Sequence, residues 1–347
     1  MSIMRSALET LVSGNVLSGQ KAAEVMDCIM SGGASASQTA GFLTALSFRE
    51  STVEEIVGFA RTMRSKAAKV QHSLSYCIDT CGTGGDGAGT FNISTAAAIV
   101  AAAAGAKIAK HGNRAMSGRS GSADVLEALG VNIALDPSQV GECMEKVGVG
   151  FMFAQLFHQS MKHAAGVRKE LGIKTVFNIL GPLTNPADAK GQLLGVYDEG
   201  MVYSMAEALR QLGAERALVV HGGDGLDEIT ITGRTKVAEL KEDSITEYYI
   251  EPADFGIAQS DLKDIAGGDA SHNAGIISSV LAGEKGAHRD IVIINAAAAI
   301  YVAKLAADLK EGTLIAADMI DSGRAALKLK ELAVFTNVIG RKGEVPA

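Results

Sequence analysis

Residues 82–87 read Gly-Thr-Gly-Gly-Asp-Gly, a stretch that could bind phosphate because glycines let backbone N–H groups approach an oxyanion closely. The stretch satisfies the G-x-G-x-x-G pattern of dinucleotide-binding loops. That fingerprint also requires an acid about 20 residues further on to bind a ribose hydroxyl. No Asp or Glu occurs from Ala88 to Ala123, and Ala88 stands where a Walker loop would have Lys. The spacing therefore favours neither a nicotinamide site nor a Walker site.

The acid-free interval carries charge of the opposite sign. It contains Lys107, Lys110, His111, Arg114 and Arg119. Lys110 opens a second loop, rich in glycine and serine, that runs to Ser122. Between the two loops, the side chains of Asn92–Thr95 could cap a helix over Ala96–Ala104 whose free N–H groups face the same anion. A tight turn beside a solvated basic face explains the glycines alone equally well, but the charge pattern favours a two-loop cradle for a ligand with two phosphate clusters.

The elements that must hold these loops change in type along the chain. The first 70 residues carry helix signals only: Ser18 can cap a helix that ends at Gly32-Gly33, and Ser51–Glu54 is a capping box. After residue 72, short apolar runs alternate with alanine-rich helical stretches, which is typical of an α/β sheet. The runs expected to form strands are Tyr76–Ile78, Lys107–Ala109, Ala217–Val220 and Asp290–Ile294.

This pattern predicts a small all-helical domain, residues 1–71, followed by a larger α/β domain, residues 72–347, with a central, mostly parallel sheet. One later segment complicates the division. His158–Leu171 has the pattern of a helix, and Asn178–Ala187 holds two of the chain's five prolines. We expect the segment near 167–188 to be a hinge or a return to the helical domain.

Composition narrows the class of protein. With 39 acidic and 32 basic residues, the net charge of −7 gives no general reason to expect nucleic-acid binding. The four cysteines lack the partners of a zinc site, so we expect free thiols in a reducing compartment. The longest run of small apolar residues, Thr95–Ala106, is too short to span a bilayer. The expectation is a soluble cytoplasmic protein that binds neither membrane nor nucleic acid.

The motifs GTGGDG, NIST, KHGNRA and SGSADVLEALG resemble, in this order, the anthranilate phosphoribosyltransferases of tryptophan biosynthesis. The resemblance continues through Val167–Ala187 (VRKELGIKTVFNILGPLTNPA) and His221–Thr230 (HGGDGLDEIT), and so covers most of the chain. It implies a nucleoside phosphorylase/phosphoribosyltransferase-like fold and a homodimer formed through the helical domain. It also implies transfer of phosphoribosyl from the donor PRPP to the amine of anthranilate, with Mg²⁺ at the domain junction and two ions when PRPP is bound.

The resemblance assigns sets of site residues in this numbering. The implied PRPP contacts are Gly82, Gly85, Asp86, Thr90, Asn92, Ile93, Ser94, Thr95, Lys110, His111, Gly112, Asn113, Arg114, Ala115, Met116, Ser117, Gly118 and Ser122. The implied anthranilate contacts are Gly82, His111, Asn113, His158, Arg168 and Gly181. The implied metal contacts are Ser94, Asp227 and Glu228. No residue is assigned as an acid or base catalyst.

The chemistry of these residue types fits the implied roles. Asp227 and Glu228 offer the hard oxygens that Mg²⁺ prefers, with substrate phosphates completing its shell. The guanidinium fork of Arg168 suits a carboxylate. Asp86 would repel a diphosphate unless it accepts hydrogen bonds from ribose hydroxyls or loop amides, or faces the anion through a cation.

The sequence departs from the family pattern at two positions. Gln159 follows His158 and Gly166 precedes Val167, where the family commonly has proline. The loss of two fixed φ angles is expected to alter the geometry of the anthranilate channel.

Two other functions remain open from the residues. A pyrimidine nucleoside phosphorylase shares the architecture and a related glycine loop, but the VRKELG and GPLTNPA motifs argue against it. A non-enzymatic, nucleic-acid-binding paralogue on the same fold would need a basic groove, which the net charge and the presence of Asn113 and Arg168 disfavour.

Overall fold

The computed structural model describes residues 2–115 and 119–342. The helices are α1 (Ile3–Val12), α2 (Gly19–Met30), α3 (Ala36–Ser47), α4 (Val53–Lys66), α5 (Ile93–Ala103), α6 (Ser122–Ala128), α7 (Pro137–Lys146), α8 (Ala154–Phe157), α9 (Lys162–Leu171), α10 (Phe177–Leu180), α11 (Met201–Gln211), α12 (Ala270–Leu281), α13 (Ala287–Val302), α14 (Leu309–Asp321) and α15 (Arg324–Lys342). The strands are β1 (Ile78–Gly82), β2 (Ile108–Gly112), β3 (Val149–Phe153), β4 (Gly191–Gly195), β5 (Arg216–Gly222), β6 (Thr235–Lys241) and β7 (Ser244–Ile250). Short 3₁₀ helices lie at Gln159–Met161, Gly181–Leu183, Pro252–Phe255 and Leu262–Ile265.

Capping side chains begin the early helices. Ser18 caps α2, as predicted, by accepting a hydrogen bond from the backbone N–H of Lys21. At α4 the capping box is formed by Thr52 and Glu55, one residue later than predicted. Glu55 takes this position because its buried carboxylate also pairs with Arg49 at 2.6 Å, a partner that sequence spacing does not reveal.

The described residues form one seven-stranded sheet in the order β3-β2-β1-β4-β5-β6-β7. The first five strands of this order run parallel, and β6 and β7 form an antiparallel extension. The chain moves outward from β1 to β2 and β3, then returns to β4 on the other side of β1. This reversal of strand order creates a crevice outside the carboxyl ends of β1 and β4, the usual ligand position in open α/β sheets.

Three of the four predicted strand segments overlap β1, β2 and β5, but the prediction for Asp290–Ile294 is wrong. These residues lie in α13. Almost every residue of α13 is buried, because the helix packs against α5 on one side and α14 on another. A helix that is apolar on all faces has no 3.6-residue periodicity, so its sequence resembles that of a buried strand.

The segment between β3 and β4 packs against the N-terminal helices. Ala164, Val176, Phe177, Ile179 and Leu180 belong to the same hydrophobic cluster as buried side chains of α1–α4. The cluster continues onto α11 and one face of β4 and β5. A second cluster, centred on α5 and α13, covers the rest of the sheet. The helical layer and the segment 164–183 therefore stand beside the crevice at the β1/β4 strand ends.

Two further expectations concern cysteines and membranes. The thiols of Cys28, Cys77, Cys81 and Cys143 are all unpaired, as predicted. Among the described helices, none combines the length and apolarity needed to cross a bilayer.

Candidate active site

Asp227 lies directly over the ends of two parallel strands. It follows β5, and its Oδ2 accepts a hydrogen bond from the backbone N–H of Gly84 at 2.6 Å. A Cβ atom at Gly82, the last residue of β1, would lie 2.1 Å from Asp227 Oδ2. A Cβ atom at Gly195, the last residue of β4, would lie 1.5 Å from the Asp227 carbonyl oxygen. The acid reaches the first glycine loop because both strands end in glycine.

The first loop, residues 83–91, needs glycine for its backbone conformation. Gly84, Gly85, Gly87 and Gly89 all have φ between 67° and 78°, a region that other residues rarely adopt. Within the loop, Asp86 Oδ1 accepts a hydrogen bond from Ala88 N–H at 3.3 Å. A backbone N–H of the same loop is therefore one hydrogen-bond partner of the Asp86 carboxylate. The loop closes where Thr90 forms a β-bridge with Ala266.

Glu228 connects the acid pair to the N-terminus of α5. Its Oε1 accepts a hydrogen bond from Ser94 N–H at 3.0 Å, and its side chain is buried. The next residue, Ile229, is held by the buried side-chain amide of Asn295. This amide accepts a hydrogen bond from Ile229 N–H at 3.0 Å and donates one to the Ile229 carbonyl at 2.9 Å. The acid pair is thus held by the core of the sheet, and it is not a pair of solvated turn residues.

The acid pair lacks compensating charge. Burial and the neighbouring carboxyl of Asp86 raise the pKa of Asp227. Burial and the charge of Asp227 likewise raise the pKa of Glu228, although Lys110 opposes the shift. Among the described residues no group of three or more His, Cys, Asp or Glu side chains is arranged to hold a metal. Two buried carboxyls whose negative charge the protein compensates only in part can bind a divalent cation, which would take its remaining ligands from a phosphate substrate.

Lys110 places a buried cation between the two loops. It lies on β2, where its Nζ donates to the Thr80 carbonyl at 2.5 Å and to Ser94 Oγ at 3.4 Å. Ser94, the residue expected at the metal, therefore contacts the Lys110 ammonium through its hydroxyl and the Glu228 carboxyl through its backbone N–H. This arrangement can stabilise negative charge beside the N-terminus of α5.

The helix after the first loop starts earlier than predicted. It begins at Ile93, and Asn92 occupies its N-cap without a side-chain cap bond. The Asn92 amide instead joins two other elements: its Nδ2 donates to the Ser120 carbonyl, and its Oδ1 accepts from Asn273 at 3.0 Å. The predicted capping role of Asn92 is wrong because this side chain bridges the two loops. Ile93 and Thr95 are both buried, so Ile93 offers only its backbone to a ligand.

The second loop is organised by an acid that lies just beyond the acid-free interval. Asp124 accepts from the backbone N–H of Ala115 at 3.0 Å and of Gly121 at 2.9 Å. Its other oxygen pairs with Arg114 at 2.8 Å, and Glu127 holds the same guanidinium. The positive charge of Arg114 is therefore already matched, contrary to its expected contribution as a site cation.

The remaining positions of the second loop lie at the end of β2. A Cβ atom at Gly112 would lie 2.1 Å from Ser122 Oγ, and that hydroxyl donates to the Asn113 carbonyl at 3.4 Å. The predicted contacts Met116, Ser117 and Gly118 lie outside the described residues.

Asp79 and Asn185 form a buried support under the second loop. Asp79 is fully buried on β1, where its Oδ1 accepts from His111 N–H at 3.2 Å and its Oδ2 accepts from Asn185 Nδ2 at 2.7 Å. Asn185 also donates to the Ala109 carbonyl at 2.7 Å. The segment 164–188 is thereby tied to the strand that carries Lys110 and His111.

His111 and His158 form a neutral pair of rings. Their centroids are 5.0 Å apart. Burial lowers the pKa of His111 to about 3 and that of His158 to about 4, so both imidazoles are uncharged near pH 7. His111 Nε2 and both ring nitrogens of His158 are buried without a hydrogen-bond partner among the described residues. The carbonyl of Gly181, another residue predicted to contact anthranilate, faces His111.

Arg168 lies in the last turn of α9 and makes no ion pair among the described residues. Its guanidinium stacks over the Phe177 ring, 5.1 Å from the centroid, and burial lowers its pKa. Gly166 lies inside the same helix, with open space where its Cβ would be. α9 continues unbroken through this position, from Lys162 to Leu171.

The sequence did not reveal the supporting residues Asp79, Asn185 and Asn295. A signal exists for two of them. Asp79 directly follows the apolar run Tyr76–Ile78, and Asn295 lies within the apolar stretch of α13. Polar groups at such positions are buried only when they are hydrogen-bonded. Asn185 carries no comparable signal, because its partners are more than 70 residues away in sequence.

The chain matches two described families in order along its length. Residues 5–67 match the glycosyl transferase family, helical bundle domain, and residues 74–326 match the glycosyl transferase family, a/b domain. The fold and site therefore define a glycosyl transferase. The anthranilate phosphoribosyltransferase of Acetivibrio thermocellus is 55% identical over 335 residues, which cover 96% of this chain and 97% of the relative. The chain belongs to the anthranilate phosphoribosyltransferase family.

Solved structures agree with this assignment. The anthranilate phosphoribosyltransferase of Thermus thermophilus superposes with a TM-score of 0.91 at 44% identity, covering 95% of this chain and 99% of that one. The Saccharomyces cerevisiae enzyme in complex with PRPP and Mg has a TM-score of 0.88 at 30% identity, covering 96% and 98%. Another structure of the yeast enzyme contains 4-fluoroanthranilate. The nucleoside phosphorylase and nucleic-acid-binding alternatives gain no support from these relatives.

The buried support makes a testable prediction about pH. Burial raises the pKa of Asp79 to about 6, although Lys110, Asn185 and His111 N–H oppose the shift. Between about pH 4 and pH 6 the folded state therefore keeps a proton on Asp79 that the unfolded state has lost. Because only the unfolded state gains by ionisation in this window, the free energy of unfolding falls as pH rises through it. We expect the wild-type free energy of unfolding, relative to Asp79→Asn, to fall by about 2 kcal/mol between about pH 4 and pH 6.5.

Urea unfolding of both proteins across this pH range measures the difference. Gly275→Ala serves as a control: it fills open space and changes no ionisable group, so its difference from wild type should not vary with pH. A difference that rises with pH would mean that Asp79 is stabilised as the anion, contrary to the prediction.

Proposed function

We propose that this chain transfers the 5-phosphoribosyl group of PRPP to the amine of anthranilate, giving N-(5-phosphoribosyl)-anthranilate and diphosphate. The observation that carries the proposal is the junction of Gly84 N–H, Asp227, Glu228, Ser94 and Lys110 at one sheet edge. This junction combines backbone donors, paired carboxyls and a cation, as a diphosphate with a divalent cation requires. Membership of the family and the ligands of the yeast structures support it.

The donor site that we propose consists of the two loops and the start of α5. Ser94 and Lys110 contribute side chains, whereas Ile93 and Arg114 contribute backbone groups, because one side chain is buried and the other is paired. The proposed donor contacts in the described part of the chain are Gly82, Gly85, Asp86, Thr90, Asn92, Ile93, Ser94, Thr95, Lys110, His111, Gly112, Asn113, Arg114, Ala115 and Ser122.

Ser94, Asp227 and Glu228 would hold Mg²⁺, and we propose two ions when PRPP is bound. When bound, Mg²⁺ neutralises charge on the diphosphate oxygens. The raised pKa values of both acids indicate that the protein alone does not supply this compensation. Asp86 lies close enough to Asp227 to raise the pKa of Asp227 further, which adds to the need for a cation at this place.

The acceptor site that we propose faces the segment 158–181. Arg168 has a planar guanidinium with no carboxylate partner among the described residues, so it can bind the anthranilate carboxylate in a bidentate manner. The neutral rings of His111 and His158 offer an uncharged surface for an aromatic amine. Gly82, Asn113 and Gly181 complete the proposed contacts.

The reaction forms a bond between the anthranilate nitrogen and C1 of the ribose, breaks the C1–oxygen bond to diphosphate, and releases one proton from the amine. An aryl amine is neutral near pH 7, so its lone pair is available without a strong base, and we assign no general base. Lys110 and the loop amides stabilise the charge that develops on the departing diphosphate. The remaining contribution is alignment of the two substrates, with closure of the helical layer excluding water.

We further propose a division into residues 1–71, with the return segment near 167–188, and residues 72–347. The packing of 164–183 against α1–α4 supports it. A homodimer formed through the helical layer is supported by Val12, Val16 and Phe48, which are 79%, 53% and 86% exposed there. Large apolar residues exposed on one layer of a protein can mark an interface. The cytoplasmic location remains a prediction.

The central test is turnover of anthranilate. Loss of anthranilate fluorescence should require both PRPP and Mg²⁺. In Arg168→Ala the KM for anthranilate should rise by about 10- to 100-fold, the effect of losing hydrogen bonds to a charged group, while the KM for PRPP changes little. Arg168→Lys keeps the charge without the fork, so its KM should fall between the two.

Phosphorolysis of uridine or thymidine without any anthranilate turnover would contradict the proposed function. An unchanged KM for anthranilate in Arg168→Ala would remove that residue from the acceptor site.

A second prediction concerns the metal. The double variant Asp227→Asn, Glu228→Gln should need at least about tenfold more Mg²⁺ for half-maximal rate, because each lost charge weakens cation binding. The matched control is Glu242→Gln with Asp243→Asn, which neutralises the same pair of residue types at the exposed turn between β6 and β7. Identical Mg²⁺ titrations for wild type and the Asp227/Glu228 variant would reduce these acids to a structural role.

A further inference from the structure

Lys174 joins the segment that carries Arg168 to the first glycine loop. It follows α9, whose C-cap residue, Gly172, has a left-handed conformation with φ 62°. Its Nζ donates a hydrogen bond to the Gly85 carbonyl at 2.8 Å. The same ammonium lies 3.7 Å from the centroid of the Tyr197 ring. Lys174 lies within the VRKELGIK motif but belongs to none of the predicted sets of donor, acceptor or metal contacts.

The contacts of Lys174 span the crevice between β1 and β4. Gly85 belongs to the loop after β1, and Tyr197 follows β4. Thr83 also joins the segments that follow β1 and β4: Tyr197 N–H donates to Thr83 Oγ1 at 3.2 Å, and Thr83 N–H donates to the Gly195 carbonyl at 3.0 Å. Lys174 therefore makes its contacts at the point where Thr83 already connects the two sides of the crevice.

The glycine loop needs external contacts to hold one conformation. Four of its glycines have positive φ, and a glycine backbone has no Cβ to restrict its dihedral angles. The loop is held from outside by Asp227 at Gly84, by Lys174 at Gly85 and by Gly267 N–H at the Gly89 carbonyl. Of these three contacts, the one from Lys174 is made by a charged side chain to a loop carbonyl.

The bond to Gly85 sets the direction of the next backbone donor. In a trans peptide the carbonyl and the following N–H point in opposite directions, and the described residues contain no cis peptide. When the Lys174 ammonium fixes the Gly85 carbonyl, it also fixes the N–H of Asp86. That N–H is one of the backbone groups available to an anion in the loop.

We propose that Lys174 is a positioning residue that holds the glycine loop in its diphosphate-binding shape and ties this shape to the acceptor-binding segment. The proposal rests on the proposed function for the identity of the donor. The lysine acts on the loop backbone, and its neighbour on the other side is an aromatic ring that stabilises the ammonium by a cation–π interaction.

The test compares Lys174→Met, Lys174→Arg and Lys169→Met. Lys169 is an exposed lysine in the same segment, so its replacement changes the local charge equally. Lys174→Met should raise the KM for PRPP about tenfold, as expected for loss of a charged hydrogen bond, with the KM for anthranilate and the unfolding temperature unchanged. Lys174→Arg keeps a donor and the stacking on Tyr197, so it should restore most of the affinity. Lys169→Met should match wild type.

Millisecond hydrogen–deuterium exchange of residues 83–90 in the protein without substrates separates positioning from direct contact with diphosphate. Positioning predicts faster exchange in Lys174→Met and wild-type exchange in Lys169→Met. An unchanged exchange rate in Lys174→Met, or an unchanged KM for PRPP, would overturn the proposal. This exchange measurement does not depend on turnover, so it remains readable if the wild-type protein fails to consume anthranilate and the proposed function itself is wrong.

Discussion

The site depends on how closely Asp227 approaches the ends of β1 and β4. The acid can lie there only because Gly82 and Gly195 have no side chains: a Cβ at either position would fall within 2.1 Å of an Asp227 oxygen. Parallel pairing in register, Gly82 beside Gly195, places both glycines at the same level of the sheet. The absence of side chains at Gly82 and Gly195 therefore brings together the acid that follows β5, the loop that follows β1 and the crevice between β1 and β4.

Around this contact the protein concentrates charge that it does not neutralise itself. Asp86, Asp227 and Glu228 lie close together, and Lys110 opposes the rise in the pKa of Glu228. The acids are nevertheless held rigidly, Asp227 by Gly84 N–H and Glu228 by Ser94 N–H, with Asn295 fixing the backbone beyond them. Such preorganisation suits a metal–diphosphate ligand, because the ligand meets carboxyls and backbone donors that are already in place.

The proposed acceptor side is built differently, from two buried neutral rings and one cation without an acid partner among the described residues. His111 and His158 are kept neutral by burial, which lowers the pKa of each ring, and Arg168 stacks on Phe177 with no acid beside it among the described residues. The buried bond between Asp79 and Asn185 connects this side to β1 and β2. In the function that we propose, the two sides divide the chemistry: the sheet edge supplies charge for the departing group, and the helical side orients the incoming amine.

The sequence predicted the elements whose signals are local. The glycine loop, the basic interval and the helical beginning could be predicted because glycine, charge and caps act over a few residues. The strand prediction for Asp290–Ile294 is wrong because α13 is buried on all faces, and the role predicted for Asn92 is wrong because its partners, Ser120 and Asn273, are distant in sequence. The matched charge of Arg114 escapes prediction for a related reason, since its acidic partners lie beyond the acid-free interval.

The most direct test of the central contact is the Mg²⁺ dependence of anthranilate turnover in Gly82→Ala. Because the added methyl must displace the Asp227 carboxylate, we predict at least about tenfold more Mg²⁺ for half-maximal rate, the scale of one lost charged contact. Gly275→Ala, a helical glycine with open space at its Cβ, is the control and should behave as wild type. A Gly82→Ala variant with the wild-type Mg²⁺ titration would contradict the claim that the close approach of Asp227 builds the site.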